Sequence, residues 1–146
     1  MTKVIQLPNP AAGAQAAYQI TGFKRYRILG VTAIMDNTVV ATAAAQLLQI
    51  NLYGMLLWTS KPIDVLANGS MTSCWAIGTQ FQQGGGVSPN RSQAALPDWY
   101  FDDDEEVFVI VGRDGGSALT LITTVSIIID YRTAPRPRIG KVLTGE

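Results

Sequence analysis

The feature that most constrains the fold is a long alternation of apolar and polar side chains in residues 119–131. Apolar residues, many of them β-branched, recur there at every second position, which is typical of a β-strand with one buried face. Ile122 and Ile128 are exceptions, because both fall on the otherwise polar face. Residues 106–111 are apolar on both faces, as expected of a strand inside a sandwich.

The segment between these two strands contains Asp114-Gly115. Asp-Gly between apolar runs is a strong signal for a tight β-hairpin, because glycine readily adopts the positive φ that such turns need. We therefore predict that residues 106–111 and 119–131 pair as a hairpin.

Further upstream, alternation predicts strands at residues 25–35, 48–52 and 73–77, with a bulge at Gly30. Residues 41–49 are rich in Ala, Leu and Gln, so a short helix is the alternative to a strand there. Since no amphipathic helix of three turns is apparent elsewhere, the sequence predicts an all-β sandwich or barrel of seven or eight strands.

The length of 146 residues corresponds to one domain. Residues 1–17 hold two prolines and many alanines without sustained periodicity, which predicts an extended N-terminal arm. Residues 18–132 form the predicted β-sandwich domain, which includes a glycine-rich loop at about 78–97. Residues 133–146 hold two more prolines and several cations, which predicts an extended basic C-terminal arm.

The composition excludes several kinds of catalytic site. The chain has no histidine, which removes Ser-His-Asp and Cys-His catalytic arrangements and imidazole-based zinc sites. Its single cysteine, Cys74, forms no intrachain disulfide or cysteine cluster, and is predicted to be a buried, inert thiol. Lys and Arg number 11, as do Asp and Glu, so a globally basic nucleic-acid binder is excluded. We expect no enzymatic activity, no cofactor and no nucleic-acid partner.

An uncharged stretch spans residues 37–60 and is long enough to cross a bilayer. Gln46, Gln49 and Asn51 fall near its centre, however, and polar groups are expensive in lipid. A buried pair of strands explains the absence of charge better. We expect neither a membrane span nor a signal peptide.

Residues 98–106 hold six of the eleven acids, but not in the spacing of a calcium-binding loop. A solvated turn, or a patch that meets a basic partner, is the favoured interpretation. The candidate partner-binding residues in this region are Trp99, Asp102, Asp103 and Asp104.

The C-terminal arm supplies the complementary charge. Two interpretations stay open: it lies along an acidic surface of a neighbouring subunit, or it is a frayed tail. Its candidate partner-binding residues are Arg132, Arg136, Arg138 and Lys141.

Several segments together carry a resemblance to a known family. They are the Pro/Ala-rich N-terminus, Tyr26-Arg27-Ile28-Leu29-Gly30-Val31, Leu48 to Leu52, Leu96-Pro97-Asp98-Trp99-Tyr100, and Ile127-Ile128-Ile129-Asp130-Tyr131. Over residues 18–132 this layout resembles the small jelly-roll cement proteins that decorate tailed-bacteriophage capsids. Lectin, tumour-necrosis-factor-like and plant-virus coat domains share the layout.

The resemblance implies a single jelly-roll domain without catalytic residues. Such a protein sits on the outer capsid surface of a virion assembled in the host cytoplasm. There it bridges neighbouring major capsid protein subunits, and it often forms homodimers or homotrimers. The alternative is a carbohydrate- or receptor-binding module, as in a fibre tip or lectin, with Trp58 or Trp99 stacking on sugar. A cupin-type isomerase is disfavoured, because its metal site is normally built from histidines.

Overall fold

The computed structural model describes residues 1–84 and 91–132. The predicted C-terminal arm at 133–146, with Arg136, Arg138 and Lys141, lies outside the described residues. Within the described residues, no helix has the length and hydropathy that a membrane crossing requires.

The described residues form eleven β-strands in two sheets. The strands are β1 (Thr2–Gln6), β2 (Ala16–Ile20), β3 (Arg25–Asp36), β4 (Ala44–Leu52), β5 (Met55–Thr59), β6 (Ile63–Val65), β7 (Ser70–Ala76), β8 (Arg91–Ala95), β9 (Tyr100–Asp102), β10 (Val107–Gly115) and β11 (Leu121–Arg132). Residues 41–49, for which a helix was the alternative, lie mostly in β4, so the favoured strand is confirmed.

The strand order is that of a jelly roll. One sheet runs β1-β11-β3-β7-β8 and the other β2-β10-β4-β5, so most connections cross from one sheet to the other. Two short strands complete this pattern: β9 continues the line of β7 beside β3, and β6 continues the line of β5 beside β4. The predicted all-β sandwich is therefore confirmed, and β8 adds a fifth position at the edge of the first sheet.

The predicted terminal hairpin is wrong. The two strands lie in different sheets: β10 pairs with β2 and β4, and β11 pairs with β1 and β3. Gly115 and Gly116 do adopt positive φ, but the backbone N–H of Gly116 donates to Ala43 and the chain crosses between the sheets. An Asp-Gly signal specifies a reversal of direction, and the partner of each strand is decided by which side chains must be buried.

A bulge explains the irregular alternation in β11. Its pairing with β3 shifts register between Thr123 and Ser126, where Thr124 has a φ of 53°. The shift inverts the buried face, so Ile122 points into the core although it is out of phase with Ile127. A second shift lies beside Gly30, as the sequence predicts.

The N-terminal segment 1–17 contains the strand β1 and the start of β2, so it belongs to the sandwich rather than to a separate arm. Thr2–Gln6 pairs antiparallel with β11 from Thr2 opposite Asp130 to Gln6 opposite Ser126. Ile5 and Leu7 pack against the core. The sequence shows little periodicity here because β1 is an edge strand with mostly exposed side chains.

The core between the sheets is mostly aliphatic, with Trp75, Tyr26 and Met35 among its largest members. One buried hydrogen bond joins the two sheets: the Ser73 hydroxyl on β7 donates to Oε1 of Gln46 on β4 at 2.7 Å. This hydrogen bond adds a polar contact to the apolar packing between the sheets.

Candidate partner-binding surfaces

The hairpin between β4 and β5 is built by a two-residue turn. Tyr53 and Gly54 both have positive φ, 52° and 75°, as a turn matched to the twist of two antiparallel strands requires. The Tyr53 backbone N–H donates to the Glu106 carbonyl at 2.9 Å, and its hydroxyl donates to the Asp104 carbonyl at 3.3 Å. The hairpin is thereby tied to the acidic turn between β9 and β10.

The outer side of this hairpin carries an exposed apolar surface. Met55 is 74% exposed, Tyr53 59%, Leu56 57% and Leu57 42%. With Leu52 they line a shallow depression of about 210 Å³. We call Tyr53, Met55, Leu56 and Leu57 the apolar hairpin patch. The expectation that both strands of the uncharged stretch are buried is wrong for β5, because β5 lies at the edge of its sheet.

The edge formed by β5 lacks the protection that neighbouring edges have. On β6, the Gln83 side-chain amide bonds both the N–H and the carbonyl of Asp64 at 3.0 Å. On β8, the backbone of Gln82 bonds both groups of Gln93. Within the described part of the chain, β5 pairs with β4 alone, so its outward backbone groups have no strand partner. Such an edge is a template for pairing with another strand.

The predicted acidic patch is divided between two roles. Asp103 pairs with Lys24 at 3.1 Å, and Asp98 pairs with Arg27 at 3.2 Å. In contrast, the carboxylates of Asp102, Asp104 and Glu105 converge, with one oxygen of each within 4.8 Å of the others. Together with Asp103 and Glu106, these three line a pocket of about 220 Å³ beside the β2–β3 loop. Five of the six acids of residues 98–106 therefore border one pocket, and Asp98 lies outside its lining.

The exposed aromatic residues lie just before this turn. Trp99 is 37% exposed, whereas Trp75 is fully buried and Trp58 packs partly against the core. The Tyr100 ring contacts the guanidinium groups of Arg25 and Arg27 at 4.7 and 5.4 Å from its centroid. Of the tryptophans considered for sugar stacking, Trp99 is the most accessible.

The end of β11 lies at the same end of the sandwich as the acidic turn. Arg132 is opposite Arg25 on β3, and Arg25 is opposite Asp102 on β9. Arg132 therefore lies two strands away from Asp102 in the same sheet.

Cys74 requires a correction. It is half-buried on the outer face of β7 rather than buried in the core. Partial burial raises the pKa of its thiol, so the thiolate, which is the nucleophilic form, is disfavoured.

The sequence interpretation missed the apolar hairpin patch. The sequence contains a signal for it, because Tyr53-Gly54 falls between two uncharged apolar runs, but an absence of charge equally indicates buried strands. No protein-family profile matches the chain, and no curated protein is a significant match to it.

Proposed function

We propose that this chain is a non-enzymatic structural protein of a virion: a capsid cement protein that bridges neighbouring major capsid protein subunits on the outer shell. The observation that carries the proposal is the apolar hairpin patch on an unprotected edge strand. Such an edge promotes aggregation of a free protein. Its presence is understandable where a partner protein covers it.

The contact that this edge offers is strand addition. A partner strand beside β5 would bond the outward backbone groups, while Met55, Leu56 and Leu57 contact its side chains. The patch carries no charge, so this contact depends little on salt.

The patch is small for a stable one-to-one complex, so its size favours binding to a shell on which many copies are held side by side. A stable interface buries about 800 Å² per partner, and four side chains cover only part of that area. Single contacts are therefore weak, and many contacts on one shell add through effective concentration. The same edge also serves a second copy of the chain, so we expect homodimers or homotrimers at high concentration. The jelly-roll order is compatible with the proposal but hosts many functions, so it carries less weight than the patch.

Replacing Leu56 with lysine tests the patch. Leu56 is 57% exposed, so the substitution leaves the core intact, but it places a charge in the apolar contact. We expect at least about tenfold weaker binding to shells of the major capsid protein assembled without this chain. Co-sedimentation with the shells measures occupancy, and light scattering measures self-association.

Leu119→Lys is the matched control. Leu119 is 59% exposed but lies in the β10–β11 connection, away from the patch. We expect it to bind shells like the unmodified chain. Equal occupancy for the Leu56 variant and the unmodified chain would remove the patch from the proposal.

Removing residues 133–146 tests the basic arm. The deletion removes Arg136, Arg138 and Lys141 but leaves β11 complete. We expect severalfold lower shell occupancy at low salt, a smaller difference at high salt, and a melting temperature within about 2 °C. Unchanged occupancy at low salt would show that the arm has no binding role.

A carbohydrate- or receptor-binding module is the second candidate, favoured by Trp99 and Tyr100. Both rings are exposed beside Asp98, which Arg27 holds in place. The Asp98 contact is also the main cause that raises the pKa of the Arg27 guanidinium. Trp99 fluorescence that changes on titration with a glycan, with no shell binding, would favour this candidate.

A further inference from the structure

The convergence of Asp102, Asp104 and Glu105 calls for a positively charged occupant. Their oxygens lie within 4.8 Å of one another. None of the ion pairs among residues 1–84 and 91–132 involves these three carboxylates. Like charges at this separation repel each other, and a bound cation would offset that repulsion.

Tyr26 provides a second and independent indication. Its side chain is 2% exposed and lines the same pocket as the three acids. Its buried hydroxyl has no hydrogen-bond partner among the described residues. The ring is held between Phe23 and Phe101, with centroids 5.8 and 5.6 Å away. Since buried polar groups normally have a partner, the phenol points to a ligand or a ligand-bound water in this pocket.

We infer that Asp102, Asp104 and Glu105 bind a hard divalent cation of the calcium type, and that a cation-bound water bonds the Tyr26 hydroxyl. This inference does not depend on the proposed function.

The geometry fits this occupant. Calcium takes oxygen ligands at about 2.3–2.6 Å, so two oxygens on one ion are at most about 5.2 Å apart. The observed separations fall within that limit without rearrangement. The pocket of about 220 Å³ also has room for several waters, each of which occupies about 30 Å³. The ligands are all carboxylates, which suit calcium or magnesium better than zinc.

The spacing of the acids explains why the sequence did not indicate this site. A typical calcium loop places its ligands at alternate positions with a glycine at the sharp turn. Here the Glu105 carboxylate accepts the Asp102 backbone N–H at 2.9 Å, and this contact folds the turn so that adjacent acids face one pocket.

Terbium luminescence on the full chain tests the site directly. Tb³⁺ replaces Ca²⁺ at oxygen sites and is excited through nearby aromatic rings, here Tyr26 and Tyr53. We expect a saturable signal that Ca²⁺ displaces. Saturating CaCl₂ should raise the melting temperature by about 5 °C or more relative to NaCl at equal ionic strength.

Three substitutions decide whether these residues are the ligands. Asp104→Asn and Glu105→Gln should each weaken Tb³⁺ binding at least about tenfold, and both keep side chains of similar shape. Asp98→Asn is the matched control, because Asp98 pairs with Arg27 and does not line the pocket, so its loss should leave binding within about twofold. Tyr26→Phe keeps the ring and should weaken binding severalfold.

The contrary results are equally specific. The inference is overturned if Asp98→Asn and Asp104→Asn have equal effects, or if NaCl reproduces the thermal shift. It is also overturned if Tb³⁺ gives a signal only after residues 133–146 have been deleted, which would assign the pocket to the basic arm.

Discussion

Replacing Asn37 with alanine is expected to lower the free energy of unfolding by about 3 kcal/mol. The side chain is fully buried at one end of the sandwich. Its amide nitrogen donates to the carbonyls of Thr42 at 2.8 Å and Leu66 at 3.3 Å, and its Oδ1 accepts from the Thr120 hydroxyl at 2.8 Å. One residue therefore joins three loops, and its removal leaves the buried Thr120 hydroxyl without an acceptor. Urea denaturation measures the change.

Asn37→Asp keeps the volume of the side chain but removes the amide donor, so it tests the contribution of the hydrogen bonds alone. A carboxylate there faces two carbonyl oxygens, so its pKa is raised in the folded state above the unfolded value near 3.9. Stability is then lost as pH rises from the unfolded pKa toward the folded pKa. We expect Asn37→Asp to be less stable than Asn37→Ala at pH 7 and to recover partly at pH 4.5. An Asn37→Ala variant within about 0.5 kcal/mol of the unmodified chain would contradict the assignment.

The strands with one buried face could be predicted from the sequence, and the strand partners could not. β7 alternates throughout, and β3 alternates on either side of the predicted bulge beside Gly30, because each strand has one face against the core. The partner of β10 could not be predicted, because a strand that is apolar on both faces is compatible with either sheet. The Asp114-Gly115 signal describes only the local turn.

The two candidate sites were hidden for different reasons. The uncharged segment that includes Leu56 has the composition of a buried strand, and only its place at the sheet edge shows that it is exposed. The acids at 102–105 were recognised as a group, but their convergence depends on side-chain directions set by the turn. The sequence pattern places Tyr26 only on a strand, because nothing in a linear pattern indicates that a core side chain also lines a surface pocket.

Replacing Trp75 with alanine is expected to lower the free energy of unfolding by about 3–5 kcal/mol, the largest effect of any substitution considered. Trp75 lies on β7 between Val31 on β3 and Ala94 on β8, and its side chain is fully buried between the sheets. Its removal leaves a cavity that the surrounding strands cannot close, because their pairing fixes their positions.

The indole nitrogen of Trp75 allows a second comparison, between the phenylalanine and alanine variants. Its Nε1 is buried and has no hydrogen-bond partner among the described residues, so Trp75→Phe loses volume but no hydrogen bond. We therefore expect Trp75→Phe to cost clearly less than Trp75→Ala. Trp99→Ala is the matched control, since Trp99 is 37% exposed and its loss should cost less than about 1 kcal/mol. If chemical denaturation gave the two alanine variants equal losses in the free energy of unfolding, Trp75 would not fill the space between the sheets. The packing of the two sheets that places the apolar hairpin patch at an edge would then be wrong.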